Sequence, residues 1–151
     1  MQTKTLIIGG GLTGLRLAHR LQQAGHDYQL VEARARLGGR IKSLGVAGEN
    51  FDLGPSWVWE GQRRVAALLA ELGLRTFGQW HKGAQLYEHP DGRVQQTSGF
   101  MSMAGAHRII GGTSSLTDAL AAQLDPARIH TGQPVTHVSK EPVGARVGDE
   151  H

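Results

Sequence analysis

The chain has 151 residues, of which 39% are hydrophobic and 19% charged, the composition of one soluble globular domain with a core of its own. Its 16 basic and 13 acidic residues leave a net charge of only +3, and aromatics make up 5%, so an extended nucleic-acid surface is a poor reading. Cysteine is absent, which excludes disulfides, thiol nucleophiles and thiolate metal sites.

The first predicted element is the apolar strand Leu6-Ile7-Ile8, which runs into Gly9-Gly10-Gly11-Leu12-Thr13-Gly14, a Gly-x-Gly-x-x-Gly turn. In such a turn the first glycine (Gly9) permits the tight exit from the strand and the second (Gly11) lets backbone approach a pyrophosphate. The third (Gly14) lets the following helix lie close to the sheet. The helix that opens there aims unpaired N–H groups and the positive end of its dipole at the anion. Leu15, Ala18 and Leu21 continue that helix, Gly25 stops it, and Tyr28–Glu32 reads as a second strand. Strand, turn, helix and strand fit within about thirty residues, the size of one βαβ unit. Glu32 ends the second strand, where an acidic side chain accepts hydrogen bonds from adenosine ribose hydroxyls and repels a 2′-phosphate. NADP is therefore disfavoured, while NAD and FAD both fit.

The next segment places Arg34, Arg36, Arg40 and Lys42 around the pair Gly38-Gly39 with no acid among them. A guanidinium such as Arg40 then has a pyrophosphate within reach, and charge-assisted contacts are the strong kind. Ile41 to Leu44 and a turn region over Gly45 to Asn50 lead to a short strand, Phe51-Asp52-Leu53. Gly61 is expected to open a helix whose apolar face is Val65, Leu68, Leu69 and Leu72, with Gly73 ending it. A hairpin is predicted from 84–88 and 93–97 around His89-Pro90-Asp91-Gly92, with Trp80 and Tyr87 read as packing residues. Thr113-Ser114-Ser115 with Asp118 reads as a local helix cap, followed by the stripe Leu116, Leu120, Leu124. Strands over Arg128 to Thr131 and Val135 to Ser139 are expected to return the chain to the nucleotide-binding domain.

Other chemistries lack their minimum parts. There is no Gly-x-Ser-x-Gly elbow and no P-loop ending. The eight histidines show no i, i+3 or i, i+4 pair suited to a metal, so no metal is expected and they read as ordinary surface or strand residues. Apolar runs are only a few residues long, and Gly9 interrupts the N-terminal one, so neither a membrane span nor a secretory signal is expected and the location reads as cytoplasmic.

Taken together, these residues resemble the N-terminal half of the flavin-containing amine oxidases, the superfamily of monoamine oxidase, L-amino-acid oxidase and the phytoene desaturases. Beyond the glycine turn, Glu32-Ala33-Arg34 followed by Leu37-Gly38-Gly39-Arg40 resembles the family's second FAD signature. Phe51-Asp52-Leu53-Gly54-Pro55-Ser56-Trp57 resembles the third, and Ile109-Ile110-Gly111-Gly112 and Pro134–Val138 resemble later elements.

The resemblance implies an α/β, Rossmann-like FAD-binding domain over residues 1–151, with a parallel sheet, a β-hairpin excursion at 80–100 and most of a substrate domain lacking. It implies that Gly9, Gly11, Leu12, Thr13 and Gly14 wrap the FAD pyrophosphate while Glu32 and Ala33 meet the ribose. Arg40 would neutralise phosphate, Gly54, Pro55, Ser56 and Trp57 would approach the flavin, and the Val135 backbone would read the adenine edge. The implied activity is removal of a hydride equivalent from an amine or related small molecule onto non-covalent FAD. Relatives are several hundred residues long and carry catalytic groups that this chain lacks, so a missing segment or a partner chain is expected to complete the flavin site. The competing readings are a non-catalytic module binding FAD or NAD and a truncated fragment without activity of its own.

Overall fold

The computed structural model describes residues 2–97, 103–140 and 145–148. The chain opens with β1 (Leu6–Ile8), α1 (Leu12–Gln23) and β2 (Gln29–Glu32), the parallel βαβ unit expected from the glycine turn, with Leu6 opposite Gln29 and Ile8 opposite Val31. An antiparallel ribbon follows, β3 (Ser43–Val46) with β4 (Glu49–Asp52). The turn expected over Gly45 to Asn50 is shorter than that. Only Ala47 and Gly48 turn, at φ of 51° and 84°, and two successive positive φ values give the twist that closes two strands directly.

Next come β5 (Val58–Trp59), α2 (Arg63–Glu71), β6 (Thr76–Gly78) and the predicted hairpin, β7 (Gln85–Glu88) with β8 (Val94–Thr97). α2 begins at Arg63, two residues after Gly61. β9 (Ala106–Ile109) runs antiparallel between β5 and β6 in a sheet that the sequence did not disclose. α3 (Ser114–Ala121), a single 3-10 turn at Pro126–Arg128 and β10 (Ile129–Thr131) complete the core, and β10 pairs in parallel with β2 to give the order β1-β2-β10.

The last predicted strand begins at His137 rather than Val135. Among the described residues β11 (His137–Lys140) pairs with β12 (Ala145–Gly148) and not with the β1-β2-β10 sheet. β10 already occupies the edge of β2, and the N–H groups of Gly132 and Gln133 donate to the carbonyls of Arg34 and Glu32 (2.9 and 3.0 Å), which turns the chain away from the sheet.

The core lies where α1 and α3 cover the β1-β2-β10 sheet. Leu15, Ala18, Tyr28, Leu30 and Leu120 are buried there, and Ile7, Leu116, Leu124, Ile109 and the Leu68–Leu69 pair of α2 extend the same cluster. The predicted stripes of α2 and α3 therefore do face inward, each buried leucine contributing about 1.5–3 kcal/mol. Val65 and Leu72 flank the cluster, half buried.

Polar groups fix the helices relative to one another. Arg16 of α1 forms a two-pronged pair with Glu71 of α2 (2.8 and 2.7 Å). His19, expected at the surface, is buried on α1, with Nε2 2.7 Å from Gln123 Oε1 and Nδ1 3.0 Å from an Arg16 guanidinium nitrogen. A guanidinium only donates, so Nδ1 accepts and Nε2 carries the proton. Gln22 accepts from the Tyr28 hydroxyl and the Asp125 N–H and donates to the Gln123 carbonyl.

Two outcomes are expected. Leu15→Ala lowers unfolding free energy by about 2–5 kcal/mol in urea, since it opens a cavity against the sheet. Asp27 accepts from the Lys4 N–H, the Thr3 hydroxyl and Arg128, in that order of effect, and its carboxyl falls from 3.8 to about 2. A carboxyl lowered on folding adds stability above its unfolded value, and that stability is lost as pH falls through its folded one. The stability difference between wild type and Asp27→Asn should therefore shrink between about pH 4 and pH 2 in acid titrations followed by circular dichroism.

Candidate functional site

The site is built on the N-terminus of α1. Gly11 occupies its N-cap position, so no side chain satisfies the first N–H groups, and no acid lies in the first turn. Leu15 is the first to bond back, to the Gly11 carbonyl at 2.9 Å, which leaves the N–H groups of Leu12, Thr13 and Gly14 without an intrahelical acceptor. This end of the helix is open to an anion and carries the positive end of the dipole. Gly14 brings the helix against the turn: a Cβ on it would fall onto the Gly9 carbonyl oxygen and lie 3.3 Å from Ile7 Cγ2.

A second loop packs on the first. The Gly38 N–H donates to the Gly10 carbonyl (2.8 Å), Gly11 and Gly38 form a parallel bridge, and a Cβ on Gly39 would stand 3.2 Å from Gly11 Cα. The loop is held from within by Arg36, whose guanidinium donates to the carbonyls of Leu37, Gly39 and Ile41 at 3.0–3.3 Å. The basic run thus divides. Arg36 is a scaffold, whereas Arg40 is exposed at the groove and forms no ion pair among the described residues.

Glu32 stands between the two loops and is only 7% exposed. Its Oε2 accepts from the Gly10 N–H (2.7 Å) and its Oε1 from the Arg34 N–H (3.0 Å). The Arg34 bond, helped by that of Gly10 and by the charges of Arg34 and Arg36, outweighs burial and holds the carboxyl below its ordinary range. Glu32 is thus an oriented, ionised acceptor at neutral pH, with lone pairs left over.

A groove of about 1240 Å³ joins these parts. It is lined by Gly9, Gly11, Leu12, Thr13, Gly14, Glu32, Arg40, Gly54 and Pro55 among the sequence-predicted residues, and also by Ile8, Leu17, Arg34, Gly38 and Gly39. Four predicted residues do not line it. Ala33 is exposed just past β2, Ser56 turns its hydroxyl to the Gly54 carbonyl, and Trp57 donates its indole N–H to Gln79 Oε1 at 3.3 Å. Val135 lies outside any strand and lines a smaller cavity of about 280 Å³, which borders the groove through Leu6. Gly38 and Gly39 were readable as a glycine pair; the inward role of Arg36 left no signal, because the four basic residues look alike in sequence.

Residues 12–101 and 88–151 match the family described as flavin-containing amine oxidoreductases. The chain belongs to that family. The putrescine oxidase of Kocuria rosea is 33% identical over 126 residues, 82% of this chain and 26% of the relative. A protein named as a probable flavin-containing monoamine oxidase A, from Dictyostelium discoideum, is 31% identical over 123 residues, 80% of this chain and 27% of the relative. The chain thus spans about a quarter of the length of these curated relatives.

Among solved structures, cyclohexylamine oxidase from Brevibacterium oxydans superposes with a TM-score of 0.85 at 15% identity, covering 97% of this chain and 55% of that one. Wild-type putrescine oxidase bound to putrescine gives 0.83 at 19% identity, covering 98% and 55%. At such identities these two likenesses establish the fold, a mixed α/β architecture with a parallel sheet. The family's flavin makes FAD the cofactor of this chain, and the residues fit it: an uncapped helix end, the exposed Arg40 guanidinium and an oriented carboxylate line one groove.

Gly14→Ala tests the close approach. The added methyl has to displace α1 from the Gly9 carbonyl, so binding of ADP, which carries the same pyrophosphate, should weaken at least about tenfold by calorimetry. Unchanged ADP affinity would show that α1 does not bear on the anion.

Proposed function

We propose that this chain is the FAD-binding part of an FAD-dependent amine oxidoreductase, with groups outside it completing the flavin and amine sites. The observation that carries the reading is the open N-terminus of α1 facing the same groove as Glu32 and Arg40, in a chain of the flavin-containing amine oxidoreductase family. The names of the relatives, which act on putrescine and other amines, support an amine as the substrate class.

When bound, FAD supplies the redox chemistry, accepting a hydride equivalent from the carbon beside the amine nitrogen and passing electrons to oxygen or another acceptor. The residues of this chain bind and orient. The N–H groups of Leu12, Thr13 and Gly14 hold the pyrophosphate, and Arg40, which forms no ion pair among the described residues, neutralises its charge. Glu32 accepts the ribose hydroxyls on the lone pairs that Gly10 and Arg34 leave open, and its ionised state rejects a 2′-phosphate. Gly54 and Pro55 form the wall toward the flavin ring, with Ser56 and Trp57 just beyond it, and the Val135 backbone borders the adenine end. No cysteine lies among these 151 residues, so none of these groups attaches the cofactor through sulfur.

Purified protein given FAD should retain it through gel filtration and show the visible bands of a bound flavin. Glu32→Ala and Arg40→Ala should each weaken retention by about 1–3 kcal/mol, the range for losing a charged hydrogen bond. Colourless protein that binds NAD instead would contradict the proposal, and unchanged retention in both variants would put the site elsewhere.

A further inference from the structure

Asp52 lies outside the groove and has no part in the functional reading above, yet its side chain is wholly buried, at 0% exposure. Its Oδ1 accepts from the Ser43 hydroxyl (2.7 Å), the Thr113 N–H (2.8 Å) and the Thr113 hydroxyl (2.8 Å), and its Oδ2 from Arg108 (3.3 Å). Around it, Ser43 and Ser114 exchange bonds: the Ser43 N–H donates to Ser114 Oγ at 2.7 Å and the Ser114 N–H to Ser43 Oγ at 3.2 Å. Gly112 completes the fit, because a Cβ there would stand 2.8 Å from Ser43 Oγ and 3.1 Å from Asp52 Oδ1.

This cluster replaces the local cap expected at Thr113–Asp118. α3 has no side-chain cap of its own, and its first N–H groups are met instead by Asp52 and Ser43 from the β3–β4 ribbon. Burial raises the Asp52 carboxyl, but the Thr113 N–H, the two hydroxyls and Arg108 outweigh it and keep the group ionised. A buried charge with this many donors is rigid, and it joins β3, β4, β9 and the start of α3 at one point.

The position of that point in the chain matters. Ser43 and Asp52 are paired across the ribbon, at the end where its two strands meet the groove. Arg40 and Ile41 lead into β3 on one side, Gly54 and Pro55 leave β4 on the other, and all four line the groove. The Leu53 N–H donates to the Lys42 carbonyl (2.8 Å), and a Cβ on Gly54 would fall onto the Arg40 carbonyl oxygen, so the two exits are in contact. α3 in turn is anchored in the core by Leu116 and Leu120.

We propose that Asp52 is a positioning residue for the flavin-end wall of the groove, fixing Gly54 and Pro55 relative to the core by tying the β3–β4 ribbon to the first turn of α3. The role rests on the reading of the groove as an FAD site. It differs from that of Glu32: Asp52 meets no part of the cofactor and acts only on the wall beyond the pyrophosphate.

The experiment compares FAD with ADP, which lacks the flavin end, on the purified 151-residue chain. Asp52→Asn keeps the shape but removes the charge and turns an amide toward Arg108. It is expected to weaken FAD at least about tenfold while ADP changes less than about twofold, with a shift in the bound flavin's visible spectrum. Thr113→Val, which deletes one donor and keeps the shape, should do the same to a smaller extent, and it carries the test if Asp52→Asn does not fold. Equal loss of FAD and ADP, or no loss of either in the folded variants, overturns the positioning role. Wild-type protein that binds ADP but not FAD contradicts the FAD reading itself and leaves Asp52 nothing to position.

Discussion

Backbone touches backbone between the Gly9–Gly11 turn and the Gly38–Gly39 loop, and the groove takes its shape from that contact. The Gly38 N–H reaches the Gly10 carbonyl, and Gly39 comes so near Gly11 Cα that a methyl group would be crowded. Because a side chain on Gly39 would press on Gly11, glycine there lets the open end of α1 and the arm that carries Arg40 approach closely. Glu32 is wedged into the same junction and bonds to Gly10. One side chain thus stabilises the glycine turn and presents an acceptor to the groove, so the fold and the candidate site depend on the same group here.

Charge is apportioned around that junction by what each group touches. Arg36 spends its donors on three carbonyls of its own loop and serves as an internal brace. Arg40 has no such partner among the described residues and faces the groove. Carboxylates are treated with equal economy: Glu71 is taken up by Arg16 between α1 and α2, Asp52 by the donors at the start of α3, and none lies in the first turn of α1. The N-terminus of α1 therefore meets no competing negative charge from its own helix, which is the electrostatic condition for holding a pyrophosphate.

Much of this was legible in the sequence because local rules decide it. The Gly-x-Gly-x-x-Gly turn between two apolar runs specified the βαβ unit, and the leucine spacing of α2 and α3 specified which faces are buried. The hairpin of β7 and β8 followed from Pro90-Asp91-Gly92. The remainder depends on contacts between distant residues. β5 and β6 are two and three residues long and exist because β9 lies between them. The expected cap at Thr113–Asp118 gave way to a carboxylate sixty-one positions earlier in the chain, which no local pattern reports. Val135 to Ser139 had the composition of a strand, but its partner β12 was not legible, and the edge of β2 is taken by β10. His19 sits on a helix face that α3 covers, so its burial too was visible only in three dimensions.

The central claim is that the N–H groups at the start of α1 hold the pyrophosphate of FAD. Amide nuclear magnetic resonance of isotopically labelled protein, recorded while FAD is added, reports on those groups directly. Saturable shifts of the Gly11, Leu12, Thr13 and Gly14 amides, larger than those of the β7–β8 hairpin and reproduced by ADP, are the expected result. Amides of Gly11 to Gly14 that stay in place while FAD binds would contradict the account.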